Sequence, residues 1–195
     1  MTLMKPELEQ KLRQGFKYFN IFMVGMWRLG FGVWFNRKEF SGQIMVLAHT
    51  GRKSGQRRRT PVNYAILDGE VYCVAGYGAG SDWYRNIRAN PEVEVWLPEG
   101  WWAGLAEDIS SSELRTLIIR QVMIASGFAA RAAGLDPERM TDAEMAAATT
   151  NYRLIHIRRT HACTGPGGPG DLAWIWPLAT MILIPLALRP RCKKR

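Results

Sequence analysis

A basic hairpin between two apolar runs is the feature that most constrains the fold of this chain. Residues 51–61, Gly-Arg-Lys-Ser-Gly-Gln-Arg-Arg-Arg-Thr-Pro, lie between runs at 43–49 and 60–67 that are typical of β-strands. The glycines let backbone N–H groups approach an anion, and Ser54 and Thr60 add hydroxyl donors. Positive charge comes from Arg52, Lys53, Arg57, Arg58 and Arg59. This combination predicts a phosphate-binding hairpin, although a solvated basic turn has the same composition.

Turn signals around this hairpin predict a small antiparallel barrel. Asp68-Gly69 separates the second apolar run from a third strand, and Pro98-Glu99-Gly100 separates two further strands. We expect strands at 43–49, 60–67, 70–75, 92–97, 101–108 and 151–158, and helices at 81–89, 113–133 and 141–148. Hairpin-linked strands with few helices favour a mainly β fold with flanking helices (α+β), a six-stranded antiparallel barrel, over a doubly wound sheet.

Apolar segments at both ends predict contact with a membrane. Residues 16–35 are rich in aromatic residues but are interrupted by Arg28 and glycines, which favours an interfacial or lid helix, with a core-packed first helix as the alternative. Residues 172–188 carry no charge, and a basic cluster follows them. We therefore expect a membrane-associated tail, either spanning or surface-lying, that holds the protein at the cytoplasmic side of the cell membrane.

These boundaries divide the chain into four parts. They are an N-terminal amphipathic helical segment (1–39), a barrel domain (40–160), a Gly/Pro linker (161–171) and an apolar tail with a basic C-terminus (172–195). The formal net charge of +9 favours an anionic partner, such as a phosphorylated cofactor, nucleic acid or membrane lipids. Three scattered cysteines form neither a disulfide framework nor a metal spacing, which fits a reducing cytoplasm and predicts no metal site.

Two motifs resemble those of the deazaflavin-dependent nitroreductase family. The first is the hairpin at 46–61, and the second is Ser-Asp-Trp-Tyr-Arg-Asn-Ile-Arg-Ala-Asn-Pro at 81–91. The resemblance covers roughly residues 40–108. It implies a split β-barrel of the FMN-binding type and the cofactor coenzyme F-420, a 5-deazaflavin that carries a hydride and bears a phosphodiester with a polyglutamate tail.

The resemblance also implies a set of cofactor-binding residues. Arg52, Lys53, Ser54 and Arg58 match the phosphate-binding positions, and Trp83, Tyr84 and Asn86 match an element that closes the cofactor groove. Tyr84 or a water molecule could deliver the accompanying proton. Ala75 and Gly76 fall where backbone groups approach the deazaflavin ring. The whole expected set is Arg52, Lys53, Ser54, Gly55, Arg58, Thr60, Pro61, Ala75, Gly76, Trp83, Tyr84 and Asn86.

The expected activity, implied by the same resemblance, is hydride transfer from reduced coenzyme F-420 to a small, lipophilic, electron-poor acceptor such as a quinone, an enone or a nitro compound. The cofactor supplies the chemistry, so no catalytic Ser-His or His-Asp pair is required. His49 and His156 lie in predicted strands and are expected to be structural. A homodimer is a further expectation from the resemblance.

Three other interpretations fit the residues. The barrel could hold FMN, whose phosphate suits the same cations. It could also hold haem or biliverdin, as other split barrels do. A basic barrel with exposed aromatic side chains could bind single-stranded nucleic acid, although we expect no nucleic-acid partner. A non-catalytic barrel could dock lipid headgroups at a membrane surface.

Overall fold

Six β-strands form the centre of the molecule. The computed structural model describes residues 6–36 and 42–187. The strands are β1 (Ile44–Thr50), β2 (Arg57–Leu67), β3 (Glu70–Ala75), β4 (Glu92–Leu97), β5 (Gly100–Asp108) and β6 (Arg153–Ala162). They close into a barrel in the order β1-β2-β3-β6-β5-β4, and every neighbouring pair is antiparallel. The predicted six-stranded antiparallel barrel is confirmed.

Helices flank the barrel on its outer side. They are α1 (Pro6–Arg28), α2 (Asp82–Ala89), α3 (Arg115–Ala125), α4 (Phe128–Ala132), α5 (Asp142–Ala148) and α6 (Ile175–Ala187), with short 3₁₀ turns at Gly32–Phe35 and Gly78–Gly80. The N-terminus of α5 has a capping box, in which Thr141 and Glu144 satisfy each other's backbone N–H groups. Its start at this position follows directly from the Thr-x-x-Glu spacing.

The last strand is apolar on both faces because both faces are covered. Ile155 and Ile157 belong to the cluster of buried side chains that fills the barrel interior. Leu154, which points the other way, packs with side chains of α3 in a second buried cluster. Because successive side chains of a strand point to opposite faces, β6 contributes one face to the barrel interior and the other to the cluster beneath α3.

The helix predicted at 113–133 is divided into two. Gly127 separates α3 from α4 and has φ of 55°, a left-handed conformation that interrupts helical hydrogen bonding. The chain before β1 lies against this break. A Cβ at Gly42 would lie 2.3 Å from the Ser126 carbonyl oxygen, and the Gln43 N–H donates to the Ala125 carbonyl at 2.7 Å. The contact uses a carbonyl that the end of α3 leaves unpaired.

The predicted membrane-associated localisation is wrong. Within residues 6–36 and 42–187, no helix is long and apolar enough to cross a bilayer. The tail helix α6 has 13 residues, which span about 20 Å against a hydrocarbon core of about 30 Å. The apolar run is shortened because residues 171–174 form turns. The basic cluster at 189–195 lies outside the described residues.

The turns before α6 fasten the end of α1. The single Arg28 Nε–H is shared between the two Asp171 carboxylate oxygens, at 2.9 and 3.1 Å, and Arg28 Nη2 donates to Oδ2 at 2.7 Å. The Gly170 and Leu172 N–H groups donate to the carbonyls of Trp27 and Arg28, both at 2.9 Å. The last carbonyls of α1 are thus satisfied by a segment more than 140 residues away in the sequence.

Candidate functional site

The basic hairpin folds as a tight loop between β1 and β2. Its ends are joined by a hydrogen bond of 2.9 Å from the Gly51 N–H to the Gln56 carbonyl. Gly55 has φ of 64°, and a Cβ at Gly51 would lie 2.8 Å from Ser54 Oγ. Glycine is therefore favoured at position 55 by its backbone conformation, and a side chain at position 51 would have to displace the Ser54 hydroxyl.

A cavity of about 340 Å³ lies between this loop and α2. It combines residues of both motifs that the sequence pointed to. The lining residues are Gly51, Arg52, Lys53, Ser54, Arg58, Asp82 and Asn86. Of the predicted site residues, the structure therefore brings Arg52, Lys53, Ser54, Arg58 and Asn86 together around one cavity.

The pleat of β2 sorts the hairpin arginines onto two sides. Arg57 forms an ion pair with Glu94 and lies over the Trp101 ring. Arg59 donates to the Gly167 carbonyl at 2.8 Å, and its guanidinium carbon lies 5.2 Å from the centre of the Trp96 ring. Both are thus held on the outside of the barrel, because successive side chains of a strand point to opposite faces.

Lys53 and Arg58 are the cations left for a ligand. Both side chains line the cavity and are exposed. Within the part of the chain that the structure describes, neither has a hydrogen bond or ion pair with another side chain. The acidic side chain at the cavity, Asp82, interacts with Lys53 only through space and is directly paired with Arg52.

Arg52 joins the hairpin to α2 instead of remaining free. Its Nη2 lies 2.9 Å from Asp82 Oδ1, and its Nη1 and backbone N–H both donate to Asn86 Oδ1, at 2.8 and 3.2 Å. The hydrogen bond from Arg52 lowers the pKa of Asp82, so that this carboxylate stays ionised and paired. The one acidic side chain at the cavity is thereby neutralised by its neighbour.

His49 continues this network beneath the cavity. Its ring is 4% exposed, with Nδ1 3.3 Å from Asn86 Nδ2 and Nε2 3.1 Å from Thr60 Oγ1. Burial lowers the pKa of His49 to about 4; the charge of Arg58 acts in the same direction, and a main-chain contact with Thr50 opposes them. His49 is therefore neutral at physiological pH. Its expected structural role agrees with these contacts, but sequence alone did not connect it to the hairpin.

The other predicted residues surround the barrel core without lining this cavity. Pro61 pairs with Val46 in the β1–β2 ladder, and Ala75 is buried at the end of β3. Gly76 follows it on the surface, and Trp83 packs on the barrel core. Their cofactor-binding roles stay predictions, as does that of Thr60, which lies on the same face of β2 as Arg58.

Tyr84 is bound to an acidic residue that sequence reasoning missed. Tyr84 is only 8% exposed, and its hydroxyl donates a hydrogen bond to Asp108 Oδ2 at 2.5 Å. Burial and this hydrogen bond raise the pKa of Tyr84. Asp108 also accepts from Ser110 and Arg88, which fixes the second end of α2 to β5. The hydroxyl hydrogen is thus engaged by Asp108, and the proton-donor role of Tyr84 stays a prediction.

Replacing Tyr84 by phenylalanine should lower the free energy of unfolding by about 1.5 to 3 kcal/mol, because it removes one buried hydrogen bond to a carboxylate. Urea unfolding of Tyr84→Phe measures the change. Tyr18→Phe is the matched control, since Tyr18 is 72% exposed and should lose almost nothing. Equal stability of the two variants would contradict the anchoring role of the Tyr84–Asp108 contact. Retained turnover in Tyr84→Phe would separately exclude a required proton donor.

Comparison with known proteins identifies relatives over the same region. "F420H(2)-dependent quinone reductase Rv1261c" of Mycobacterium tuberculosis strain H37Rv is 38% identical over 55 residues, which cover 26% of this chain and 36% of that protein. "F420H(2)-dependent quinone reductase MT1299" of strain CDC 1551 matches to the same extent. The matched segment thus spans about a third of the length of these curated relatives.

Solved structures with a similar fold have lower sequence identity to this chain. A conserved hypothetical protein, Rv2991 of Mycobacterium tuberculosis, has a TM-score of 0.46 at 19% identity, over 65% of this chain and 87% of its own. An F420-H2 dependent reductase, FDR-A, has a TM-score of 0.42 at 20% identity, over 59% and 93%.

The strongest comparison is with a family as a whole. The model of the F420H(2)-dependent quinone reductase family matches residues 33–141, more than half of the 195 residues. That region contains the hairpin, α2 and the cavity between them. The chain therefore belongs to the F420H(2)-dependent quinone reductase family.

Proposed function

We propose that this protein is an oxidoreductase that uses coenzyme F-420 to reduce a small, electron-poor organic acceptor. Family membership indicates the cofactor. The observation that carries the proposal is the cavity of about 340 Å³ with two uncommitted cations, Lys53 and Arg58. An anionic ligand would neutralise both of them and would gain charge-assisted hydrogen bonds.

The donor set of the cavity fits the anionic part of coenzyme F-420. Lys53 supplies three rotatable N–H donors, and Arg58 supplies a planar fork that suits two oxygens of a phosphate or carboxylate. Ser54 adds a hydroxyl donor at the same cavity. A phosphodiester followed by several carboxylates can use more than one of these cations at a time, whereas the single phosphate of FMN has fewer acceptors for them.

In the proposed mechanism the residues of the chain bind and orient, and the bound cofactor supplies hydride transfer. Lys53, Ser54 and Arg58 would hold the phosphodiester and the tail. Arg52 would keep α2 against the hairpin through Asn86. We assign the approach to the ring system to Ala75, Gly76 and Trp83, with Gly55, Thr60, Pro61 and Tyr84 completing the surrounding shell.

A quinone is the acceptor that we favour. The family is described by quinone reduction, and the curated relatives carry the same description. A lipophilic quinone, an enone and a nitro compound share the electron-poor carbon or nitrogen centre that hydride transfer needs, and they can be compared directly. With the reduced cofactor supplied, turnover of a soluble quinone above that of an enone and a nitroimidazole would support this order.

The cofactor is tested by titrating the full chain with oxidised coenzyme F-420 and, in parallel, with FMN. Binding is followed by tryptophan fluorescence, since Trp83 directly follows Asp82, which lines the cavity, and is one of the residues assigned to the cofactor. We expect saturable binding of coenzyme F-420 that is at least about tenfold tighter than that of FMN, because the additional carboxylates add charge-assisted contacts. Tighter binding of FMN would overturn the cofactor assignment, and binding of neither would overturn the proposed function.

A further inference from the structure

A hydrogen-bond chain of fixed direction runs beneath the anion cavity. Arginine can only donate, so the Asn86 atom beside the Arg52 N–H groups must be the carbonyl oxygen. Asn86 Nδ2 is then left to donate to His49 Nδ1, 3.3 Å away. Because Nδ1 accepts, a neutral His49 carries its hydrogen on Nε2 and donates it to Thr60 Oγ1 at 3.1 Å.

The Thr60 hydroxyl, at the far end of this hydrogen-bond chain, still has its own hydrogen to donate. Thr60 Oγ1 accepts from His49, so its own hydrogen must point elsewhere. Among residues 6–36 and 42–187, no acceptor for that hydrogen is found. Thr60 lies two residues after Arg58, on the same face of β2, and its side chain is half-buried. Thr60 does not itself line the cavity, so its hydroxyl hydrogen is available to an anion that extends from the cavity along β2 past Arg58.

The side chains around His49 are compatible with this arrangement, and the ring also has a main-chain contact with Thr50. Arg58 is its cross-strand neighbour on β2, and Val93 pairs with it from β4. Neither can accept a hydrogen bond from the ring with its side chain. Asn86 is 5% exposed and loses its acceptor on His49 if the ring is removed. A change at His49 therefore reaches both Arg52, through Asn86, and Thr60.

We propose that His49 is a positioning residue for the anion cavity: it orients the Asn86 amide that fixes Arg52, and it directs the Thr60 hydroxyl hydrogen toward a bound anion. This inference rests on the proposed function, since coenzyme F-420 is the anion concerned. It adds a residue that contacts the cofactor only through others. The ring is needed as an acceptor at Nδ1 and a donor at Nε2, and its shape alone does not suffice.

The binding test compares His49→Phe, His49→Gln and wild-type protein by titration with oxidised coenzyme F-420. We expect His49→Phe to bind roughly fivefold to tenfold more weakly, since it leaves the Asn86 amide unpaired and the Thr60 hydroxyl undirected. Glutamine provides both an acceptor and a donor and should recover part of the loss. His156→Phe is the matched control, because it removes a strand histidine bonded to Glu70 on another face, and it should bind like wild type.

A second measurement determines, without any ligand, the direction of the hydrogen bonds that pass through His49. Long-range ¹H–¹⁵N correlation spectra of the full protein report which ring nitrogen of His49 is protonated, with the signal assigned by its loss in His49→Phe. We expect a bare Nδ1 and a protonated Nε2 at neutral pH. The opposite tautomer, or an imidazolium, would overturn the inference.

The two proposals fail in different ways. Unchanged affinity in a folded His49→Phe, beside wild-type binding of coenzyme F-420, would overturn the positioning role alone. Absence of binding by the wild-type protein would overturn the proposed function and the positioning role with it. Weaker binding in His49→Phe, partial recovery in His49→Gln and the Nε2–H tautomer together would support the inference.

Discussion

Replacing Lys53 and Arg58 together by alanine should weaken the binding of oxidised coenzyme F-420 by roughly tenfold or more. Each lost charge-assisted hydrogen bond is worth about 1.5 to 3 kcal/mol, and both side chains face the cavity without another protein partner among the described residues. The fold should be unaffected, because neither side chain is buried. Fluorescence titration gives the affinity, and urea unfolding verifies the fold.

Arg57→Ala is the matched control for the Arg58 contribution. Arg57 precedes Arg58 on β2 and carries the same charge, but it is directed outward and paired with Glu94. Arg58→Ala should therefore weaken binding clearly more than Arg57→Ala does. Equal losses would show that the hairpin acts only through its overall field, which salt would screen. Unchanged affinity in the double variant Lys53→Ala/Arg58→Ala would remove the hairpin from the cofactor site.

Acidification should destabilise the folded protein through His49. The pKa of His49 falls from 6.5, its ordinary value, to about 4 in the fold. Between these values the unfolded chain binds a proton that the folded protein does not, so the free energy of unfolding decreases as the pH falls. This contribution is complete above about pH 6.5 and is lost progressively toward pH 4, by about 3 kcal/mol in total.

Urea unfolding at several pH values measures this loss. His49→Phe should be less stable at neutral pH, because Asn86 loses a partner, but its stability should fall less steeply from about pH 6.5 to about pH 5, where wild type loses about 2 kcal/mol through this group. His161→Gln, which replaces an exposed histidine of β6 away from the His49 contacts, is the control for histidine replacement itself. Parallel curves for wild type and His49→Phe would contradict the depressed pKa of His49.

The hairpins of the barrel could be predicted from sequence because their turns demand particular residues. Asp68 and Gly69 have φ of 52° and 82°, the pair of positive values that a two-residue hairpin needs. Gly55, with φ of 64°, meets the same kind of requirement in the loop between β1 and β2. Such local backbone requirements predict the neighbours β1-β2-β3 and β4-β5, whereas the pairings of β6 with β3 and β5 and of β4 with β1 join distant parts of the chain.

The parts that sequence did not reveal depend on contacts between distant residues. Asp108 holds Tyr84 across 24 positions, and His49 meets Asn86 across 37. No spacing rule connects such pairs. The tail was misread for a related reason: its run of uncharged residues predicts one long segment, but the turns at its start are held to the last carbonyls of α1 by backbone hydrogen bonds. Apolar length alone does not show where a helix begins.

Because the pleat of β2 places successive arginines on opposite sides, the length of the loop before β2 determines which of them face the cavity. Arg58 faces the cavity and its two neighbours face outward because Arg58 pairs with His49 in the present register. If the loop between β1 and β2 lost one residue and β2 slipped by one position against β1 to restore the loop length, the two sets would exchange sides. Arg57 and Arg59 would then turn inward, and Arg58 would turn away from the cavity. Two hairpins that carry the same cations can thus differ in what they bind, because the length of the loop decides which of those cations face the cavity.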